Sequence, residues 1–445
     1  MSKLPHDQSD LLLQTPDGQT LSLADIHGSI KVRNSGAFFK RLLSFVGPGY
    51  LIAVGYMDPG NWATDIAGGA QYGYLLLSVV MISSLLAIFL QALSARLGIA
   101  ARRDLAQCCA QAYSKPVRTF LWISAEIGIV ACDIAEVLGA AIALNLLFHI
   151  PLIGGVIITS MDVLLVLALQ NRGFRWIEGL VILLIGLMVI IFSAEVFMAH
   201  PALRQLAAGF VPHWQIVRNG AILYLALSIL GATVMPHNLY LHSALVQTRK
   251  VDDTDEARKD AARMVGADNF FALMIALFVN AAILALAAAT FYPAHKDIGD
   301  IQSAFKMLTP ILGTSLAAPL FAVALLASGQ NSTLTGTLAG QVILEGFTSF
   351  RIAPWLRRLI SRLLAIVPAV FAIALWQSSG LDKLLIFSQV VLSIQLPMAL
   401  IPLVQFTGDK KFMGPLVVNR WIKYAGWLTA VVITVLDVYM VFTSL

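Results

Sequence analysis

Gly55-Tyr-Met-Asp-Pro-Gly-Asn61 and Ala232-Thr-Val-Met-Pro-His-Asn238 each lie in the middle of a long apolar run, and each ends on the same kind of four-residue motif. Proline removes a backbone donor and clashes with the preceding turn, so a helix breaks at Pro59 and again at Pro236. Within a bilayer such a break is tolerated only where freed carbonyls line a cavity or find protein partners. Around the two breaks stand a carboxylate, carboxamides, a thioether and an imidazole. Interrupted apolar segments at corresponding positions in two halves of a chain point to a transporter's binding site near the bilayer midplane. The pattern is that of a carrier for a cation.

Of the 445 residues, 58% are hydrophobic and 12% charged, far from an ordinary soluble domain. Crossing a hydrocarbon core of roughly 30 Å takes about 20 helical residues. Eleven runs are long enough to be read as spans: about 42–70, 74–95, 118–147, 152–170, 177–198, 220–247, 268–291, 312–345, 363–379, 384–406 and 421–443. They lack the alternation of a barrel strand, so the expectation is an all-α integral membrane protein. Residues 1–41 are polar, without an apolar core followed by a cleavage site, and are expected to be a mobile cytoplasmic tail with a short amphipathic segment near Ala37–Leu43.

Orientation follows from lysine and arginine. With the N-terminus cytoplasmic, 25 of the 30 basic residues fall on one side, in the N-terminal stretch and around 96–118, 172–175, 249–263, 351–362 and 410–423. The five left outside are Arg204, Arg218, Lys296, Lys306 and Lys383. Eleven spans then place the C-terminus outside. The net charge of +5 reports this topology, and no nucleic-acid partner is needed to explain it. Cys108, Cys109 and Cys132 form no disulfide framework and are expected as reduced thiols. The chain parses into 42–198 and 220–406, five spans each, plus an additional helix at 421–443. An odd number of spans per half turns the second half upside down, which is the inverted-repeat architecture.

An intramembrane carboxylate is costly and marks an ion or proton pathway, which makes Asp58 the most informative residue. Its plainer role, as N-cap of a helix restarting at Pro59, is compatible with facing an ion. Asn61 would share its face and offer a neutral oxygen. Met235 occupies in the second break the slot of Asp58 in the first; a methionine is usually core filler, but here its soft thioether suits transition metals over Mg²⁺ or Ca²⁺. A shell of carboxylate, amide oxygen, thioether and carbonyl fits Mn²⁺, Fe²⁺ or Co²⁺ and also takes Cd²⁺. His237 points away from Met235 on a resumed helix and is read as a proton carrier, while His242 is read as a helix–helix hydrogen-bond partner.

Glu126, Asp133 and Glu136 fall near one face of the third span, at spacings of seven and three. A proton wire toward the cytoplasm is their natural use, with a structural ion-pair network as the alternative; Arg362 or Arg358 would partner them. Gln389, eight residues before Pro397, could add an oxygen when the site closes. The polar run Ala327–Gly336 either lines a cavity or packs helices closely.

The two broken segments, with Ala125-Glu-Ile-Gly-Ile-Val-Ala-Cys-Asp-Ile-Ala-Glu136, closely resemble the Nramp family of divalent-metal/proton symporters, and the resemblance spans nearly the whole chain. It implies the LeuT-type fold, an inverted five-plus-five repeat with the first and sixth helices broken. It implies uptake of Mn²⁺ or Fe²⁺ with a proton. By resemblance Asp58, Asn61 and Met235 are metal ligands, the carbonyls of Gly55 or Ala232 complete the shell, and Gln389 joins in some states. His237, Glu136, Asp133 and Arg362 map onto the proton route, with Glu126 beside them. The metal is substrate, so no cofactor is expected, and neither is enzymatic activity; nothing in the chain demands more than a monomer. A cation-coupled amino-acid symporter on the same fold is the rival, but it would favour an uncharged first break whose amides bind a carboxylate. An intramembrane hydrolase lacks its motifs here, and a passive channel lacks a repeated filter segment.

Overall fold

The computed structural model describes residues 23–32, 37–159, 161, 174–292, 301–312, 315–350, 352, 354–376 and 380–444. Much of the N-terminal stretch and most of the expected fourth span (160 and 162–170) lie outside these, as do Lys3, Arg33, Arg172, Lys296 and Arg351.

The chain folds almost wholly into helices. A short amphipathic helix α1 (Phe38–Phe45) leads into α2 (Pro48–Gly55) and α3 (Pro59–Tyr72), the two halves of the first span. Then come α4 (Leu77–Ala101), α5 (Leu105–Ala112), α6 (Lys115–Phe148), α7 (Leu152–Thr159) and α8 (Phe174–Ala199). The sixth span is split into α9 (Gly220–Thr233) and α10 (Pro236–Leu245). It is followed by α11 (Asp255–Thr290), α12 (Ile301–Leu312), α13 (Ala317–Thr348), α14 (Pro354–Trp376), α15 (Leu381–Thr407) and α16 (Arg420–Ser444). Among the described residues, eight stretches are long and apolar enough to cross a membrane; one of them, Pro59–Ala101, holds both the second half of the first span and the second span. The eighth span, α13, carries the polar run from Ser328 to Gly336 in its middle.

Four helices open on proline, at positions 48, 59, 236 and 354, where the missing N–H would in any case lack an intrahelical partner. The inverted repeat is visible in the packing. The first half of one broken helix, α2, lies against the second half of the other, α10, while α3 lies against α9. The third and eighth spans, α6 and α13, form the most extensive helix pair, α11 covers α2, α3 and α4, and α16 sits on α15. The deep core between the broken helices is closely packed, whereas large apolar side chains such as Phe197, Phe371, Trp421 and Phe442 stand exposed on outward faces.

The basic loops gather at one end of the bundle. Arg41 of α1 pairs with Asp260 of α11, Arg102 pairs with Asp253 at 2.9 Å, and Arg96 Nε donates to the carbonyl of Leu416 at 2.7 Å. Residues 23–32, expected within a mobile tail, are held here: Ile30–Lys31 (β1) pairs in parallel with Arg249–Lys250 (β2), Gly28 N–H donates to Gln247 at 2.9 Å, and Leu23 and Ile26 are buried. Such strand addition satisfies backbone groups just beyond α10. At the same end Asp104 caps α5, accepting from Gln107 N–H at 2.8 Å. Burial, with the Glu345 carboxylate nearby, pushes its carboxyl up to about 7 against the opposing pull of that N–H.

Candidate metal site

The first break begins with what proline cannot donate. In an uninterrupted helix the N–H of residue 59 would bond the carbonyl of Gly55, and that of residue 236 the carbonyl of Ala232. Proline stands at both positions, so these two carbonyls lose their helical partners. Those of the neighbouring Tyr56 and Met57 are taken up elsewhere: Asn280 donates to the first at 2.8 Å, and Trp62 Nε1 and Ser328 Oγ to the second at 3.2 and 2.5 Å.

Asp58 caps α3 in an extended conformation, its Oδ1 accepting from Asn61 N–H at 2.8 Å. The cap therefore uses one carboxylate oxygen and leaves the other. Asp58 Oδ2, Asn61 Oδ1 and Gln389 Oε1 are all buried and find no hydrogen-bond partner among the described residues. An unmet buried polar atom costs about 1–3 kcal/mol. Three together are a sizeable burden for packing to carry, and a bound cation would relieve all of them.

Contacts of glycine bring these groups together. A side chain at Gly60 would strike the Gln389 amide, so α15 lays that amide directly over the Asp58–Asn61 turn. A side chain at Gly55 would strike the Asn238 amide, which in turn donates to Met235 Sδ at 3.7 Å. Met235, the N-cap of α10, is fully buried beside Ala131 and Leu392. The two breaks thus face each other with one carboxylate, neutral oxygens and a thioether between them. His237, the second residue of α10, is buried with Nδ1 unpartnered among the described residues. His242 is hydrogen-bonded as its plainer reading has it: Nδ1 lies 3.0 Å from Gln91 Oε1, and Gln91 donates to the Tyr56 hydroxyl at 2.6 Å.

Toward the basic end a second polar cluster holds α2 in place. Arg249 forms a 2.8 Å ion pair with Glu178 of α8 and donates to the carbonyls of Phe45 and Val46 at 3.2 and 2.7 Å. Asp268 of α11 accepts from Gly49 N–H at 2.7 Å. Gly47 sits at φ 141°, and any side chain there would collide with Glu178 and Arg249. These contacts tie the start of α2 to β2, α8 and α11 at the basic end.

The acidic face of α6 meets arginines from α14. Arg358 binds both Asp133 and Glu136, the latter at 2.7 Å. Arg362 reaches Glu136 at 3.3 Å and donates to Thr333 Oγ1 at 2.7 Å. Arg357 pairs with Glu126 at 2.6 Å, and Trp122 Nε1 donates to the same carboxylate at 3.1 Å. The ladder Glu136–Arg358–Asp133, then Glu126–Arg357, runs along α6 from the level of the breaks toward the basic end. These arginines count as loop charges in the sequence, and the ninth span was expected to begin at 363; instead α14 begins at Pro354 and buries all three, because the α6 carboxylates neutralise them.

The structure therefore gathers Asp58, Asn61, Met235, Gly55, Ala232 and Gln389 around the breaks, and Glu126, Asp133, Glu136 and Arg362 into the ladder, with His237 between. Tyr56, Gln91, Glu178, Arg249, Asp268 and the dominance of Arg358 over Arg362 were not read from sequence.

Residues 49–443 match the family described as natural resistance-associated macrophage protein-like, Nramp. The chain is 55% identical over 425 residues to the divalent metal cation transporter MntH of Listeria monocytogenes, covering 95% of each chain. It is 54% identical over 426 residues to the protein of that name in Mesorhizobium japonicum, covering 95% of this chain and 94% of the other. The crystal structure of the Eremococcus coleocola manganese transporter with an aromatic bis-isothiourea substituted compound superposes with a TM-score of 0.87 at 42% identity, over 94% of this chain and 90% of that one. MhsT in complex with L-phenylalanine shares the fold alone, with a TM-score of 0.59 at 13% identity over 89% of this chain and 98% of that one. With a family match over nearly its full length and relatives above half identity, the chain is a multi-pass membrane protein of the Nramp family.

Proposed function

We propose that the protein takes up divalent transition-metal ions, Mn²⁺ foremost and Fe²⁺, Co²⁺ or Cd²⁺ by the same chemistry, together with a proton. The observation that carries this reading is the set of unmet buried oxygens of Asp58, Asn61 and Gln389 beside the Met235 thioether. Relatives above half identity bear the name of divalent metal cation transporters. The metal is cargo, as in the transporters of the family to which the chain belongs. Asp58, Asn61, Met235 and the Gly55 or Ala232 carbonyls bind the ion, with Gln389 closing over it. A single carboxylate with softer neutral donors disfavours Ca²⁺ and Mg²⁺, which prefer all-oxygen shells.

The protein works as a monomer in the cytoplasmic membrane, N-terminus inside and C-terminus outside, with repeats 42–198 and 220–406. The ion enters from the outer end. Separation of Arg249 from Glu178 and of α2 from Asp268 then opens the basic, cytoplasmic end. Asp58 exchanges its proton on metal binding, and His237 and the α6–α14 ladder pass it inward. An amino-acid symporter on the same fold is disfavoured because Asp58 places negative charge where a substrate carboxylate would sit.

The test is Mn²⁺ uptake into proteoliposomes at two external pH values, with internal pH followed, for the wild type and Met235→Ala. Mn²⁺-dependent internal acidification is expected, with uptake retained and Ca²⁺ rejection weakened in the variant. No Mn²⁺ uptake by well-folded wild-type protein would overturn the metal reading, and uptake without proton movement would remove the coupling.

A further inference from the structure

The basic end holds a second cavity, separate from the metal site, of about 350 Å³. That lies within the roughly 300–1,000 Å³ of small-molecule pockets. Its walls include His27 and Gly28 of the docked N-terminal strap, Arg102 at the end of α4, Arg249 and Lys250 of β2, and Arg258 of α11. Four of these side chains are cationic and none of the lining residues is acidic.

The charge is only partly answered. Arg249 is matched by Glu178 within the gate. Arg102 and Arg258 share Asp253, whose side chain is 67% exposed, so solvent screens both pairs. Asp252 and Asp253 are the nearest acids in sequence, and both stand exposed on the rim loop. Lys250 is exposed at the mouth. The Nε–H of Arg258 is buried without a partner among the described residues. Arg102 holds a left-handed conformation (φ 51°) at the helix end, where glycine is the usual residue. Two guanidinium forks and an ammonium around one cavity match the acceptor geometry of a phosphate group.

We infer that this cavity is a site for a phosphate-bearing anion, bound by Arg102, Lys250 and Arg258 and covered by the strap. The phosphate belongs either to an anionic phospholipid headgroup or to a soluble phosphate compound. Occupancy would tie the strap, α4, β2 and α11 together. On the transport reading above, that favours the closed basic end; the binding itself does not depend on that reading.

The experiment is thermal unfolding of the purified full chain in detergent, followed by tryptophan fluorescence at fixed ionic strength. Inorganic phosphate and short-chain phosphatidylglycerol are titrated separately, with chloride and short-chain phosphatidylcholine as controls. The expected result is a saturable rise in midpoint with at least one phosphate probe. Half-saturation should weaken tenfold or more in Lys250→Gln with Arg258→Gln and stay unchanged in Lys410→Gln. A response to phosphatidylglycerol alone assigns the headgroup, and a response to inorganic phosphate assigns the soluble source. No saturable rise with either probe, or a rise that the double variant retains, overturns the site. Because the readout is binding, its failure would leave the metal reading untouched.

Discussion

Replacing Glu178 by glutamine should loosen the basic end without touching the metal site. Arg249 and Glu178 are 0% and 2% exposed in their side chains and 2.8 Å apart. Removing one partner from a buried ion pair costs about 3–5 kcal/mol, because the remaining charge is left uncompensated. Arg249 keeps its bonds to the Phe45 and Val46 carbonyls, and glutamine preserves volume, so the lower figure applies. The cost falls on the closed arrangement only, since an opened Arg249 is hydrated. At about 1.4 kcal/mol per tenfold, a loss of about 3 kcal/mol shifts the closed-to-open balance by about a hundredfold. Leu51 on α2 is fully buried in the closed arrangement. A cysteine placed there, with Cys108, Cys109 and Cys132 replaced by serine, reports opening through its reaction rate with a water-soluble maleimide. The rate should rise between tenfold and a hundredfold in Glu178→Gln. An unchanged rate, in a variant with wild-type elution and melting, would refute the assignment of this pair as a gate.

Other perturbations test separate parts. Gly60→Ala should push the Gln389 amide off the first break and raise the Mn²⁺ dissociation constant about tenfold, or about 1.4 kcal/mol, by isothermal titration. Arg358→Leu should strip Asp133 and Glu136 of their shared cation and cost about 3–5 kcal/mol, seen as a lower melting midpoint that adding Asp133→Asn partly restores. Asp104 carries a folded value of about 7 against an ordinary 3.8, so its folded form holds the proton more tightly. Its contribution is full below the unfolded value and fades as pH rises through about 7. Melting midpoints should accordingly fall as pH rises from about 4 to about 7 and level off above it, and Asp104→Asn, which keeps a capping oxygen, should flatten that slope.

Much of the site was legible because its chemistry is local. Two prolines in apolar runs announce two breaks, and the residues flanking them are the groups that meet in space. The α6 carboxylates were legible for the same reason, since a seven–three spacing fixes a shared face whatever packs on it. What escaped were relations between distant helices. Arg357, Arg358 and Arg362 look like loop cations until the helix that carries them is laid on α6. Arg249 and Glu178 each sit at the end of an apolar run, where a charge is unremarkable; only the fold makes them a pair. The strap escaped because residues 23–32 are too short and too mixed in polarity to show a period of their own, and Ile30–Lys31 gain a conformation by pairing with β2.

The two breaks also set helix ends toward one point. C-terminal ends of α2 and α9 and N-terminal ends of α3 and α10 converge there, each carrying roughly half an elementary charge, negative at a C-terminus and positive at an N-terminus. The four ends cancel, leaving the Asp58 carboxylate as the net charge of the empty site. A divalent ion exceeds it by one, so the occupied centre is left with a single surplus positive charge in a low-dielectric setting. That surplus couples to the membrane voltage at about 2.3 kcal/mol per 100 mV for a full crossing. The loaded state thus feels the electric field through one surplus positive charge, and the empty carrier, its Asp58 ionised once the proton has left inward, feels it with the opposite sign.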